Sequence, residues 1–153
     1  MKANLTTCIR QLHDKGHSPG TSTNYSFKDP SDQIWVSRSG IDKSQMNEND
    51  FISLDVNGNP TLNYKDVKAS AEAGIHCVLY DLFPETMVIL HSHAVYPIAL
   101  TSVIKDDYLI FGGYEMQKGF KGVATHEGFV RIPVFENSQD MLFFKHELAY
   151  RKL

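Results

Sequence analysis

Residues 24–39 read NYSFKDPSDQIWVSRS, and the parsing of this stretch decides the fold. Two runs rich in aromatic and β-branched residues, Asn24 to Lys28 and Gln33 to Ser39, flank Asp29-Pro30-Ser31-Asp32. Those four residues turn a chain, because proline fixes φ and aspartate and serine side chains bond to nearby backbone. The stretch therefore predicts an antiparallel hairpin with QIWVSRS as its second strand. Downstream, Phe51 to Val56 predicts a further strand, closed by Asn57-Gly58 and followed by Pro60. Upstream, Leu5, Cys8, Ile9 and Leu12 recur at helical spacing, and Gly16 is placed to stop that helix.

Beyond the sheet-forming region, SAEAGIHCVLYDLF spaces Ile75, Leu79 and Leu82 on one helical face, with Ser70 as cap and Pro84 just past the end. Met87 to Leu90 predicts a buried strand running into His91-Ser92-His93. Tyr96 to Val103 predicts a helix, Tyr108 to Phe111 and Arg131 to Phe135 predict strands, and Ser138-Gln139-Asp140 opens a last helix that runs to the C-terminus. Helices interleaved with mostly antiparallel strands predict an α/β layered fold in a single domain spanning residues 1–153.

A net charge of −3 with no basic cluster argues against nucleic acid and anionic membrane surfaces as partners. The longest apolar runs are too short to span a bilayer, and the first residues carry no signal-peptide apolar region, so a cytoplasmic chain is expected. Cys8 and Cys77 form no CxxC pair or disulfide framework and are expected as reduced thiols. With seven histidines in the chain, imidazole is the expected metal ligand.

His91 and His93 lie two apart at the end of an apolar run. On a strand such residues point to one face, so both rings can converge on one ion. An HxH pair is a short motif, equally at home in a strand-to-helix loop, and a metal needs a third protein ligand. Further candidates are scattered: His126, His146, Glu72 and Glu115. His13, His17 and His76 stand alone and receive no role. Ser37 to Lys43 combines hydroxyls, a glycine and two cations after a strand, which suits a phosphate as well as an exposed turn.

The segments TSTNYS, WVSRSGIDK, SAEAGIHCVLY, LHSHAVYPIALTSV, YEMQKGFKG and THEGFVRIPVFENSQD, in that order, resemble the methylthioribulose-1-phosphate dehydratase branch of the class II aldolase/adducin family. YEMQKGF and IPVFENSQD carry more of the resemblance than HSH does. It implies an α/β/α sandwich around a central, mainly antiparallel sheet, a homo-oligomer (usually a tetramer), and Zn2+. It implies loss of water from 5-methylthioribulose 1-phosphate, a small phosphorylated sugar, giving a diketone phosphate in methionine salvage.

Residue by residue, the resemblance makes His91 and His93 two of three zinc ligands and Glu115 the catalytic acid/base. Asn24, Ser39 and Gly40 match phosphate-binding positions, with Lys43 beside them. Glu72 lies where aldolase relatives hold their catalytic glutamate. Thr23 departs from the pattern, which has glycine before that asparagine. After NSQDM the family continues through a strand with an HG motif, whose histidine is the third ligand. Here LFFKHELAYRKL already resembles the family's last helix, so an internal deletion of roughly fifty residues is expected near 141–142. Two alternatives stay open: a sugar-phosphate aldolase using the same metal, and a shortened, inactive relative with an interaction role.

Overall fold

The computed structural model describes residues 1–138 and 140–151. The hairpin forms as the sequence dictates: β1 (Asn24–Lys28) pairs antiparallel with β2 (Ile34–Ser37), in the register Ser26 opposite Val36. Asp29 organises the turn, its Oδ1 accepting from the amides of Ser31 and Gln33, at 2.9 and 3.1 Å. β3 (Phe51–Leu54) adds to β2, and β4 (Val88–His91) adds to the other side of β1. The four-stranded order is β3-β2-β1-β4, antiparallel at every described pairing.

Alternation along the strands gives this sheet two buried faces. Tyr25, Phe27 and Phe51 pack against Leu5 and Ile9 of α1 (Lys2–Asp14). Val36, Ile52 and Leu54 pack on the opposite face against Ala73 and Cys77 of α2 (Ala73–Leu82). The fold is α/β, with helices on both sides of an antiparallel sheet. α3 (Val95–Val103) follows β4, and β5 (Tyr108–Gly112) and β6 (Phe129–Pro133) form a separate two-stranded antiparallel sheet.

The last helix, α4 (Met141–Tyr150), is capped by Asp140, whose Oδ1 accepts from the amides of Leu142 and Phe143. It packs on α2 and joins it through Lys145 to Asp81 at 2.5 Å. Arg151 at its end donates to the carbonyls of Asp107 and Val134, which flank β5 and β6. Of the residues expected to open and end this helix, Gln139, Lys152 and Leu153 lie outside the described residues.

Three expectations change. α2 buries Ala73, His76, Cys77 and Tyr80, whereas Ile75, Leu79 and Leu82 are half-buried. The polar face turns inward because β1 offers it polar partners, Asn24 and Ser26. The helix starts at Ala73, later than a Ser70 cap implies, and the Ser70 hydroxyl instead accepts from the Glu72 amide and the Asn24 side chain. β4 is an edge strand with Val88 39% and Leu90 48% exposed, where a buried strand was expected, because no described element covers that face.

Candidate metal centre

The register of β1 with β4 sets Asn24 opposite His91 at one end of the sheet. β2 ends at the same place, since its Ser37 hydroxyl accepts from the Tyr25 amide at 3.1 Å. α2 begins over that end, so Glu72, just before its first turn, hangs above His91. Three chain segments distant in sequence thus meet at one corner.

There Glu72, His91 and His93 each offer a ligand atom within 4.8 Å of the other two. His91 Nδ1 lies 3.2 Å from Glu72 Oε2 and 3.3 Å from Asn24 Oδ1. Both neighbours are acceptors, so Nδ1 carries the proton that a cation shared with Glu72 would displace. Burial pushes the His91 imidazole below its usual range, against the opposite pull of Glu72, which favours the neutral ring that can bind a metal. His93 Nε2 is buried, and among the described residues nothing hydrogen-bonds to it. An orphaned ring nitrogen beside a second imidazole and a carboxylate fits a divalent cation of zinc type, which takes nitrogen and oxygen donors and leaves a position open.

Asn24 is buried, and its Nδ2 donates to Glu72 Oε2 at 2.5 Å and to Ser70 Oγ at 3.2 Å. Ser39 and Gly40 form an exposed turn just past β2, with Gly40 at φ +75° and open space around it. Lys43 lies beneath, buried, its ammonium donating to the Ile41 carbonyl at 2.9 Å. Burial lowers its pKa, with Asp42 and Asp50 opposing. Thr23 is buried beside this turn, with Oγ1 unpartnered among the described residues.

Glu115 stands apart from this corner. It opens a short 3-10 helix, Glu115–Gly119, after β5, and is 67% exposed. Its Oε2 accepts from Lys118 Nζ at 2.5 Å and its Oε1 lies 2.7 Å from His126 Nδ1. The motif that carries it explains the arrangement. Buried Gln117 donates to the carbonyls of Thr125 and Gly128, and the Gly113 amide donates to the His126 carbonyl, so the loop folds back and brings His126 onto Glu115. Among the described residues no hydrogen bond or ion pair joins Glu115 to Glu72, His91 or His93. Glu72 is the donor least visible in the sequence; the signal for its place is its position ahead of a helix that crosses the end of the HSH strand.

Residues 3–149 match the model of the family described as Class II Aldolase and Adducin N-terminal domain. The chain is 45% identical over 152 residues to a methylthioribulose-1-phosphate dehydratase of Picosynechococcus sp., covering 99% of this chain and 72% of that protein. It is 40% identical over 133 residues to one of Marinobacter nauticus, covering 86% of this chain and 63% of that protein. The crystal structure of l-fuculose-1-phosphate aldolase from Thermus thermophilus superposes with a TM-score of 0.71 at 18% identity, over 98% of this chain and 71% of that one.

Proposed function

Because the chain belongs to the class II aldolase and adducin N-terminal domain family, we propose that it is a zinc-dependent lyase that removes water from 5-methylthioribulose 1-phosphate. The product is a 2,3-diketo-5-methylthiopentyl 1-phosphate. The convergence of Glu72, His91 and His93, with His93 Nε2 buried and unpartnered among the described residues, carries this reading. The identity to proteins named as dehydratases supports the choice among the family's reactions.

His91 and His93 would hold the zinc, with Glu72 as a third donor. Zinc, when bound, supplies Lewis-acid polarisation of the substrate's carbonyl and neighbouring hydroxyl oxygens. Glu115, in the role the family resemblance gives it, would move the protons, taking one from carbon and delivering one to the hydroxyl that leaves as water, which requires the substrate to reach from the metal corner to the loop after β5. Lys118 and His126 hold the two Glu115 oxygens in place. Ser39 and the backbone at Gly40 bind the phosphate, with Lys43 adding charge from below and Asn24 bordering the turn. The phosphate fixes the sugar's orientation from a point remote from the reacting carbons.

In this reading residues 1–153 are one family domain shortened between Met141 and Leu142, cytoplasmic, homo-oligomeric and serving methionine salvage. The test offers purified, zinc-loaded chain both 5-methylthioribulose 1-phosphate and a sugar 1-phosphate aldol substrate, beside a version carrying a family-like HG segment between Met141 and Leu142. Diketone formation, faster with the segment restored, is the expected result. Carbon–carbon cleavage would make the chain an aldolase, and turnover of neither substrate by either version would make it an inactive relative.

A further inference from the structure

α2 lays Glu72, His76 and Tyr80 along one line against Asn24, Ser26 and Lys28 of β1. The two periods match: four helical residues advance about 6 Å and two strand residues about 6.8 Å. Asn24 and Ser26 therefore each fall between two members of that line. Asn24 lies between Glu72 and His76, and Ser26 between His76 and Tyr80. The Lys28 ammonium comes next, 5.5 Å from the Tyr80 ring centroid.

The direction of every bond in this row is forced. The Asn24 side chain must present its oxygen to the rings of His76 and His91 and its nitrogen to Ser70 and Glu72. The reverse would set oxygen against the Glu72 carboxylate. Asn24 Oδ1 only accepts, so His76 donates to it from Nε2. The neutral ring then accepts at Nδ1, from the Ser26 hydroxyl at 2.6 Å. Ser26 has spent its hydrogen, so the Tyr80 hydroxyl donates to Ser26 Oγ at 2.9 Å. His76 is 1% exposed, and burial pushes its pKa down to about 3, so it stays neutral at physiological pH.

We propose that His76 is a positioning residue for the metal centre: locked as its Nε2–H tautomer, it fixes the amide of Asn24, and Asn24 in turn aims the Glu72 carboxylate at His91 and His93. This rests on the reading of Glu72, His91 and His93 as metal donors. Groups one step behind a metal's ligands set ligand orientation, and their loss typically lowers metal affinity by about 10–100-fold. His76 acts two steps behind, and is the link whose replacement leaves both Asn24 and Glu72 chemically intact.

The test compares the unsubstituted chain with His76→Gln and His76→Phe. Glutamine's nitrogen can occupy the place of imidazole Nε2 and donate the same bond; phenylalanine keeps the bulk and removes the donor. Zinc affinity is read by chelator competition, the ligand field by the visible spectrum of the Co2+ form, and folding by circular dichroism. His76→Phe is expected to lose about 10-fold or more in zinc affinity with an altered Co2+ spectrum, and His76→Gln to stay within about 3-fold of the original. A folded His76→Phe chain with unchanged zinc affinity, or equal losses in both variants, would overturn the proposal.

A second measurement needs neither metal nor variant. Long-range proton–nitrogen correlation on the metal-free chain reports the His76 tautomer: Nε2–H supports the orienting row and Nδ1–H overturns it. Failure of the unsubstituted chain to bind Zn2+ or Co2+ would overturn the metal-centre reading instead, with the tautomer still deciding the row.

Discussion

His93 has the most to gain from a bound cation, because its Nε2 is buried with no partner among the described residues. Replacing it or His91 with alanine should strip zinc from the purified chain on dialysis; zinc content equal to that of the original would remove both from the metal centre. His76 makes a different prediction, about protons. Its folded pKa is about 3 against an ordinary 6.5, so below pH 6.5 the unfolded chain takes up a proton that the folded chain refuses. The contribution of His76 is thus flat above pH 6.5 and falls as pH drops towards 3, by up to about 1.4 kcal/mol per pH unit, and His91 acts in the same direction. Urea titrations across that range should show the slope in the original chain and a smaller slope in His76→Gln. The histidine pair was legible because a strand's period is two and HSH is contiguous. Glu72 and His76 were harder to read, since their partners lie 48 and 52 residues away and meet them only through the order of the sheet. The readable trace was the joint spacing of Glu72, His76 and Tyr80 with Asn24 and Ser26, polar residues at core-facing periods on both elements.

Among the elements, the hairpin from Asn24 to Ser37, α1 and α4 follow from local signals, each having a turn, cap or breaker at its end. α2 shows where such signals stop. Its apolar residues span most of its circumference, and which side faces inward was decided by β1, not by the helix. The turn after β3 is tied to it as well. Asp55 Oδ1 accepts from the amides of Asn57 and Asn59, holding Gly58 at φ +84°. A Cβ on Gly58 would lie 3.3 Å from the Gly74 Cα in the first turn of α2. Gly58→Ala should therefore cost about 1–2 kcal/mol from the left-handed backbone alone, with crowding of α2 added. Chemical denaturation reads this directly, and unchanged stability would show that the turn relaxes without strain.

For the whole molecule, the accessible surface is 10016 Å2, whereas a compact monomer of this mass exposes about 7,800 Å2. The difference, about 2,200 Å2 on one chain, is more than twice the about 800 Å2 that each partner buries in a standard-size interface. Exposed Val88 and Leu90 on β4 and Val95, Tyr96, Ile98 and Val103 on α3 supply apolar area for it. Sedimentation should show mass rising with concentration, and a Val88→Lys, Leu90→Lys chain should shift towards the monomer. A monomer at all concentrations would mean that this face is tolerated bare. Composition alone gave no sign of that surface, because apolar content is the same whether or not a strand is there to cover it. The tie made by α4 has its own consequence. With β5 and β6 outside the main sheet and held to α2 through Lys145 and Arg151, the carboxylate of Glu115 lies with one sheet and the donors at Glu72, His91 and His93 with the other, an arrangement that predicts two cooperative units. Amide hydrogens of β1 and β2 should then exchange with solvent deuterium far more slowly than those of β5 and β6. Cutting the link with Arg151→Ala should speed exchange in the second set and leave the first unchanged, so that proton-transfer and metal-binding groups are seen to lose their order at separate rates.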